Sequence, residues 1–169
     1  MLKSIYSITE VSRLKFRRMI LNLALLFITG FLWLIGFFYI LQVTTSEHLE
    51  YPLVVGLLSI TVGGTVICGT QIMYFLHKIL QLIINHHAFS QGAITLVKRV
   101  RRNIGIISLC FIFALPFFFT AAQADDAPGV VLLGFAVVCT PFAIYILSQI
   151  IEDLFISAFN LQKDHDLTV

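Results

Sequence analysis

The side chains with the greatest capacity for chemistry are the histidines, two of which are adjacent at His86 and His87. Such a pair suggests a metal site that His77 or His165 would complete. Adjacent histidines do not share the i, i+3 or i, i+4 geometry of one helix face, however, and no acidic residue accompanies them. The pattern therefore favours solvated loop histidines, and we predict no metal site.

The cysteines are the next candidates for chemistry. Cys68, Cys110 and Cys139 each lie inside an apolar run, far apart and without metal-ligand spacing, which predicts small core residues. The chain also lacks the signatures G-x-x-x-x-G-K-[ST], G-x-G-x-x-G, H-E-x-x-H and G-x-S-x-G. We therefore predict no catalytic residue, no cofactor and no enzyme activity.

Carboxylates deep in an apolar span would indicate ion transport, because a charge in hydrocarbon is costly and usually functional. The sequence contains none. Glu152 and Asp153 follow the last apolar run, about 20 residues beyond Gly129, which places them at a membrane interface. Lys78 ends the second apolar run at the same expected depth. We predict that Lys78, Glu152 and Asp153 form an interface ion cluster.

The elements that position these residues follow from composition. Of the 169 residues, 59% are hydrophobic and 12% are charged, with a mean hydropathy of +0.95. A soluble domain carries about 25% charged residues, so this chain cannot cover a globule with a solvated surface. The composition predicts an all-α integral membrane bundle of four transmembrane helices, arranged as two hairpins.

The chain is predicted to be a single membrane domain, 1–169, with a retained first span that is too long for a signal peptide. The spans are predicted at 19–43, 53–76, 104–122 and 129–151, with a loop at 77–103 and a tail at 152–169. The second helix is expected to continue past the bilayer to Ile84, and Ser90 to cap a basic helix that enters the third span. The basic segment 1–18 is either a flank that anchors the first span or a short amphipathic surface helix.

Small residues in the second span, among them Gly56, Gly63, Gly64 and Gly69, predict close helix packing. Gln71 is a candidate for an interhelical hydrogen bond. Pro116 lies toward the far end of the third span, and Pro141 is expected to bend the fourth.

Charge segregation predicts the orientation. Five Lys/Arg lie in 1–18, five in 77–102 and one in the tail, whereas the hairpin turns carry only acids. Under the positive-inside rule both termini and the central loop are expected to face the cytoplasm and the acidic turns to face outward. The cytoplasmic segments supply the predicted contacts to lipid or to a partner protein: Lys98, Arg99, Arg101, Arg102, Asp164, Asp166 and Leu167.

Two segments carry a resemblance to a known family. One is Ala-Phe-Ser at 88–90 followed by LVKRVRRNIG at 96–105, similar to a Pro-Phe-Ser/Thr, Leu-Arg and Ile-Gly pattern in which Ala88 replaces the usual proline. The other is the ending LQKDHDLTV, which is similar to Leu-x-x-Glu-x-Asp-Leu-Thr-Val. The chain thus resembles the four-span bacterial membrane proteins classed as domain of unknown function 2975.

The resemblance implies a cytoplasmic transcriptional regulator as partner, because members are often encoded beside a small helix-turn-helix protein. It supplies no catalytic residue. Two hypotheses follow. The first is a non-enzymatic signalling or immunity module that acts with that regulator and makes no direct contact with nucleic acid. The second is a small transporter or channel-like subunit that works as a homo-oligomer, against which the lack of intramembrane charge argues.

Overall fold

The computed structural model of the chain describes residues 2–45, 51–84 and 90–167, with side chains within 19–45, 51–83 and 90–161. These ranges form helices and no strand. The helices are α1 (Leu2–Thr45), α2 (Pro52–Ile84), α3 (Gln91–Ile112), α4 (Leu115–Ala124) and α5 (Gly129–Leu167). The predicted all-α class is confirmed, whereas His86, His87 and Ala88 lie outside the described residues.

Four segments of the described chain are long and apolar enough to cross a membrane. They are Met19–Thr45 in α1, Pro52–Ile83 in α2, Gln91–Ala124 across α3 and α4, and Gly129–Leu161 in α5. Large apolar side chains along them, such as Leu26, Phe27 and Leu132, are exposed, as surfaces that face lipid tails are. The prediction of four transmembrane helices is confirmed.

The helix ends follow the sequence signals. α1 begins at Leu2, so the basic amino-terminal segment continues the first transmembrane helix without a break. α2 continues past Lys78 to Ile84, as predicted. At the start of α3, the Oγ atom of Ser90 accepts a hydrogen bond from the backbone N–H of Ala93 at 3.3 Å. This confirms the predicted cap, which satisfies one of the N–H groups that a first turn leaves unpaired.

The third span differs from the continuous helix predicted over 104–122. α3 ends at Ile112 and α4 begins at Leu115, with a two-residue turn between them. Pro116 in the first turn of α4 has no N–H to donate, and its ring excludes the carbonyl four residues earlier. The two turn residues instead donate to carbonyls three residues back, at 3.1 Å each. Pro116 therefore divides the span into two helices.

The helices pack largely in the order of the chain. α1 packs on α2, α2 on α3, and α5 on α3 and α4. The less exposed positions of α1 recur every three or four residues and form one narrow stripe: Asn22, Leu25, Thr29, Leu32, Gly36, Tyr39 and Val43. The covered stripe of α5 has the same spacing: Gly134, Val138, Pro141, Tyr145, Ser148 and Glu152. This repeat keeps one helix face against its neighbour over several turns.

Close helix approach occurs at only some of the predicted small residues. A Cβ atom at Gly64 would lie 2.8 Å from Cys110 Sγ, and one at Gly69 would lie 3.1 Å from a Leu32 methyl group. At Gly56 and Gly63 a Cβ would meet nothing within 4 Å, so the prediction of close packing is wrong for these two. Gly56 is exposed, and Gly63 borders an open space between α1 and α2 that a Cβ atom would not fill.

Candidate functional site

The Lys and Arg side chains of the described residues gather at one end of the bundle, which we call the basic end. It comprises the carboxyl-terminal turns of α2, the first three turns of α3 and the part of α5 from Glu152 onward. The cations there are Lys78 of α2 and Lys98, Arg99, Arg101 and Arg102 of α3. The opposite end carries Asp125 and Asp126 in the turn before α5.

A partly buried ion pair joins α3 to α5 at the basic end. The Nε atom of Arg101 lies 3.0 Å from Oε2 of Glu152. The Glu152 side chain is 6% exposed and the Arg101 side chain 35% exposed, so the carboxylate is buried whereas the guanidinium still reaches solvent. Oε2 lacks an aligned hydrogen bond, so the attraction between the two groups is chiefly coulombic.

The other members of the predicted ion cluster lie elsewhere. The Nζ atom of Lys78 lies 4.7 Å from the centre of the Tyr74 ring, one turn earlier on α2, in a cation–π contact. Asp153 is exposed. In the part of the chain that the structure describes, no ion pair within 4.0 Å links Lys78 to Glu152 or Asp153. The structure thus assigns Glu152 to Arg101, and coupling of Lys78 to that pair stays a prediction.

A groove lies between α3 and α5 beside this ion pair. Its volume is about 650 Å³. Five of the α3 residues that line it follow one helical stripe that changes from polar to apolar: Thr95, Lys98, Arg102, Ile106 and Leu109. Phe142 and Tyr145 of α5 form the facing wall. The groove is therefore cationic toward the basic end and apolar toward the middle of the span.

Arg99 also borders the groove but has a second neighbour. Its guanidinium carbon lies 5.8 Å from the centre of the Phe75 ring of α2, within the range of a cation–π contact. α3 thereby places Arg101 toward α5 and Arg99 toward α2. Of the predicted contact residues, Lys98 and Arg102 are exposed and, among the described residues, have no carboxylate within 4.0 Å.

Uncharged hydrogen bonds also join the helices near the basic end. Nδ2 of Asn103, which is 2% exposed, donates to Oε1 of Gln71 at 3.0 Å, and this confirms Gln71 as an interhelical partner. Nδ1 of His77 lies 3.0 Å from Oδ1 of Asn22, and Nε2 of Gln81 lies 2.9 Å from Nε2 of the same ring. A neutral His77 that donates from Nδ1 and accepts at Nε2 satisfies both contacts.

The cysteines and histidines provide no cluster for chemistry within the described residues. No group of three His, Cys, Asp or Glu side chains there is placed to hold a metal ion. Cys68 is buried as predicted, but Cys139 is exposed, so its assignment to the core is wrong. Cys139 is next to the buried Val138 in sequence and so points away from the covered stripe of α5.

The predicted contact residues of the tail lie in the last part of α5, where the structure describes the backbone but not the side chains. The α5 backbone is helical through Asp164, Asp166 and Leu167. The side chains of these three residues and of His165 lie outside the described residues, as do all side chains of 1–18. Their predicted contacts with lipid or with a partner protein stay predictions.

Comparison with known proteins places the chain in a family. The profile described as "Protein of unknown function (DUF2975)" matches residues 42–169, well over half of the chain. The chain belongs to this family. The DUF2975 match begins near the end of α1 and includes all of α2 to α5, and with them the ion pair and the groove.

A curated relative agrees with the membrane assignment. The chain is 27% identical over 97 residues to "Uncharacterized membrane protein YoaS" of Bacillus subtilis (strain 168). The aligned region covers 57% of this chain and 61% of that protein, so the chain spans less than two thirds of the relative's length. No solved structure matches the chain. DUF2975 membership and this relative establish a membrane protein, without an activity.

Sequence reasoning missed the Arg101–Glu152 pair, although the sequence contained signals for it. Arg101 lies four residues after Val97 and four before Gly105, on the α3 face that packs against neighbours. Glu152 follows Ser148 by four residues and Tyr145 by seven, in phase with the covered stripe of α5. A seven-residue repeat traced through the last span would have placed this carboxylate against a helix rather than in solvent.

Proposed function

We propose that this protein is a non-enzymatic module of the bacterial plasma membrane that acts with a cytoplasmic helix-turn-helix regulator, in signalling or in immunity to a membrane-active peptide. The observation that best supports a cytoplasmic partner is the length of α5. Its 39 residues extend about 58 Å at 1.5 Å per residue, whereas the hydrocarbon core of a bilayer is about 30 Å thick. Because α5 starts at a short turn, the excess length projects from the basic end.

The same argument applies to α1, whose 44 residues extend about 66 Å. The projecting parts of α1 and α5 differ in charge. Residues 1–18 carry five Lys/Arg and one acid, whereas Asp164 and Asp166 lie near the end of α5. An anionic leaflet attracts the first segment and repels the second, so the end of α5 is the better surface to present to a protein.

Orientation is the first element to test. The segregation of Lys and Arg supports cytoplasmic termini under the positive-inside rule. A reporter that works only in the cytoplasm should be active when fused after Val169 or inserted near Gln91. It should be silent when inserted at Glu47 or Asp126. Activity at either acidic turn would contradict the proposed orientation, and with it a cytoplasmic partner at the basic end.

The partner is tested by removing the end of α5. Deletion of 163–169 should leave insertion and folding intact, because it removes less than two turns outside the membrane, but should abolish capture of a helix-turn-helix protein encoded beside this chain. The full-length variant D164N/D166N tests whether capture of the regulator depends on the charge of these two residues or on the length of the tail. A photo-crosslinker at Asp166 should join the regulator, whereas one at the lipid-facing Leu132 should not.

A truncated protein that retains capture and cellular phenotype would contradict docking on α5. A role within the membrane, such as peptide immunity, would then be the better hypothesis. Solute flux through liposomes that contain only the purified protein would instead support the alternative, a small transporter or channel-like subunit acting as a homo-oligomer.

A further inference from the structure

The groove between α3 and α5 is cationic at one end and apolar at the other, which matches the two parts of an amphiphile. Along α3, Lys98 precedes Leu109 by eleven residues, or about 16 Å of helix axis. Both line the groove, one at its cationic end and one at its apolar end. A free anion would use only the first end and a hydrocarbon only the second. A molecule with a negative headgroup and an acyl chain uses both.

The cationic end has an excess of positive charge. Four basic side chains line it, namely Lys98, Arg99, Arg101 and Arg102. Within the described residues, Arg101 is the one of these four that forms an ion pair, and its partner is Glu152. Lys98 and Arg102 lie four residues apart, on the same face of α3, so both can approach one phosphate group. Arg fits phosphate through its planar fork and Lys fits it as a point charge.

The apolar end lies at the depth of lipid tails. Measured from Gly129 at the opposite end of α5, Phe142 lies about 20 Å along the axis, Tyr145 about 24 Å and Glu152 about 35 Å. With a hydrocarbon core of about 30 Å, Phe142 and Tyr145 fall inside it and Glu152 falls at the headgroup layer. The groove therefore crosses the boundary between headgroups and tails, where a lipid from the same leaflet has direct access.

We propose that this groove binds an anionic phospholipid, with the phosphate against Lys98 and Arg102 and one acyl chain along Ile106 and Phe142. The site is independent of the regulator proposed above, because it lies between α3 and α5 inside the bilayer surface rather than on the projecting end of α5. It also differs from a general attraction of basic residues to the membrane, because it requires the apolar part of the groove.

The test uses the full chain purified in a neutral detergent. Native mass spectrometry measures binding of phosphatidylglycerol and phosphatidylcholine with identical acyl chains, added in equal amounts. We expect preferential retention of phosphatidylglycerol. The double variant K98Q/R102Q should weaken it about 30-fold, because each cation near a membrane surface contributes about 1 kcal/mol and 1.4 kcal/mol corresponds to a tenfold change.

Two matched controls separate the groove from surface charge. R17Q/R18Q removes the same charge from α1, whereas the described lining of the groove belongs to α3 and α5, and should leave retention unchanged. I106W keeps every cation but fills the apolar end, and should reduce retention at least tenfold. I60W adds the same ring at a site of similar exposure on α2, 51% against 41% at Ile106, and should have no effect.

Three outcomes would overturn the proposal. Equal losses in K98Q/R102Q and R17Q/R18Q would show attraction to any basic residue. Full retention in I106W would show that no chain enters the groove. Displacement of the lipid by millimolar inorganic phosphate would show that the cations bind a free anion, since phosphate lacks the acyl chain that the apolar wall requires.

Discussion

The Arg101–Glu152 pair provides a quantitative test of how the basic end holds α3 and α5 together. The perturbation is R101Q, which removes the charge but keeps a polar side chain. Breaking a fully buried pair costs about 3–5 kcal/mol, whereas an exposed pair is worth about 0.2–1 kcal/mol. Here the carboxylate side chain is 6% exposed and the guanidinium side chain 35% exposed. We therefore expect R101Q to lower the free energy of unfolding by about 2 kcal/mol.

The reciprocal change should cost less. E152Q leaves Arg101 unpaired, but a side chain that is 35% exposed can recover water, so we expect a loss of about 1 kcal/mol. The double variant R101Q/E152Q should be less destabilised than the sum of the single variants, because the interaction is lost only once. D153N is the matched control, since it neutralises an exposed carboxylate next to Glu152 and should change little.

The assay is unfolding in mixed micelles with an increasing fraction of denaturing detergent, followed by far-ultraviolet circular dichroism. The reasoning is refuted if R101Q and E152Q add within about 0.5 kcal/mol, which is the behaviour of independent sites. It is also refuted if R101Q costs no more than D153N. The sequence-based hypothesis about Lys78 is tested in parallel, because K78A combined with E152A/D153A should be less than additive if Lys78 joins the pair.

Two further predictions concern packing between helices. G134A should lower the free energy of unfolding by about 1–3 kcal/mol, because the added Cβ would lie 2.5 Å from Cγ of Phe118. G63A is the control, since a Cβ there meets nothing within 4 Å. In the same unfolding assay it should be neutral or slightly stabilising. N103A should cost about 1 kcal/mol through loss of the bond to Gln71, and a double-mutant cycle with Q71A should reveal coupling; equal and additive losses would contradict the hydrogen bond.

The sequence predicted the individual helices better than the contacts between them. The signals that succeeded are local ones: the uncharged runs, the cap at Ser90 and the polar Gln71. They are local because hydrocarbon thickness and unpaired backbone groups constrain each helix separately. The break at Pro116 was also locally encoded, through a missing N–H, but apolar content alone made the span look continuous. Glu152 was predicted to pair with Lys78, whereas the structure pairs it with Arg101.

The partner of a side chain can be predicted only if it is known which helices contact each other. Those contacts depend on which face of each helix is covered, and a run of apolar residues does not show this. Membrane helices lack the alternation of apolar and polar residues that reveals the inner face of a soluble helix, because lipid and protein interior are equally apolar. The lining of the groove could not be predicted for the same reason. Ile106 and Phe142 become neighbours only through the packing of α3 on α5.

The packing of each helix on one close to it in the chain has a consequence for synthesis. Because α2 packs on α1, and α3 on α2, each helix after the first meets a surface that is already present in the membrane when it leaves the insertion machinery. Contacts close in sequence form without long searches. The α3 face that packs on α5 must wait longer: Arg101, for example, precedes Glu152 by fifty-one residues and enters the membrane before its counter-charge has been made. Assembly of this end of the protein therefore finishes only when the last helix is released.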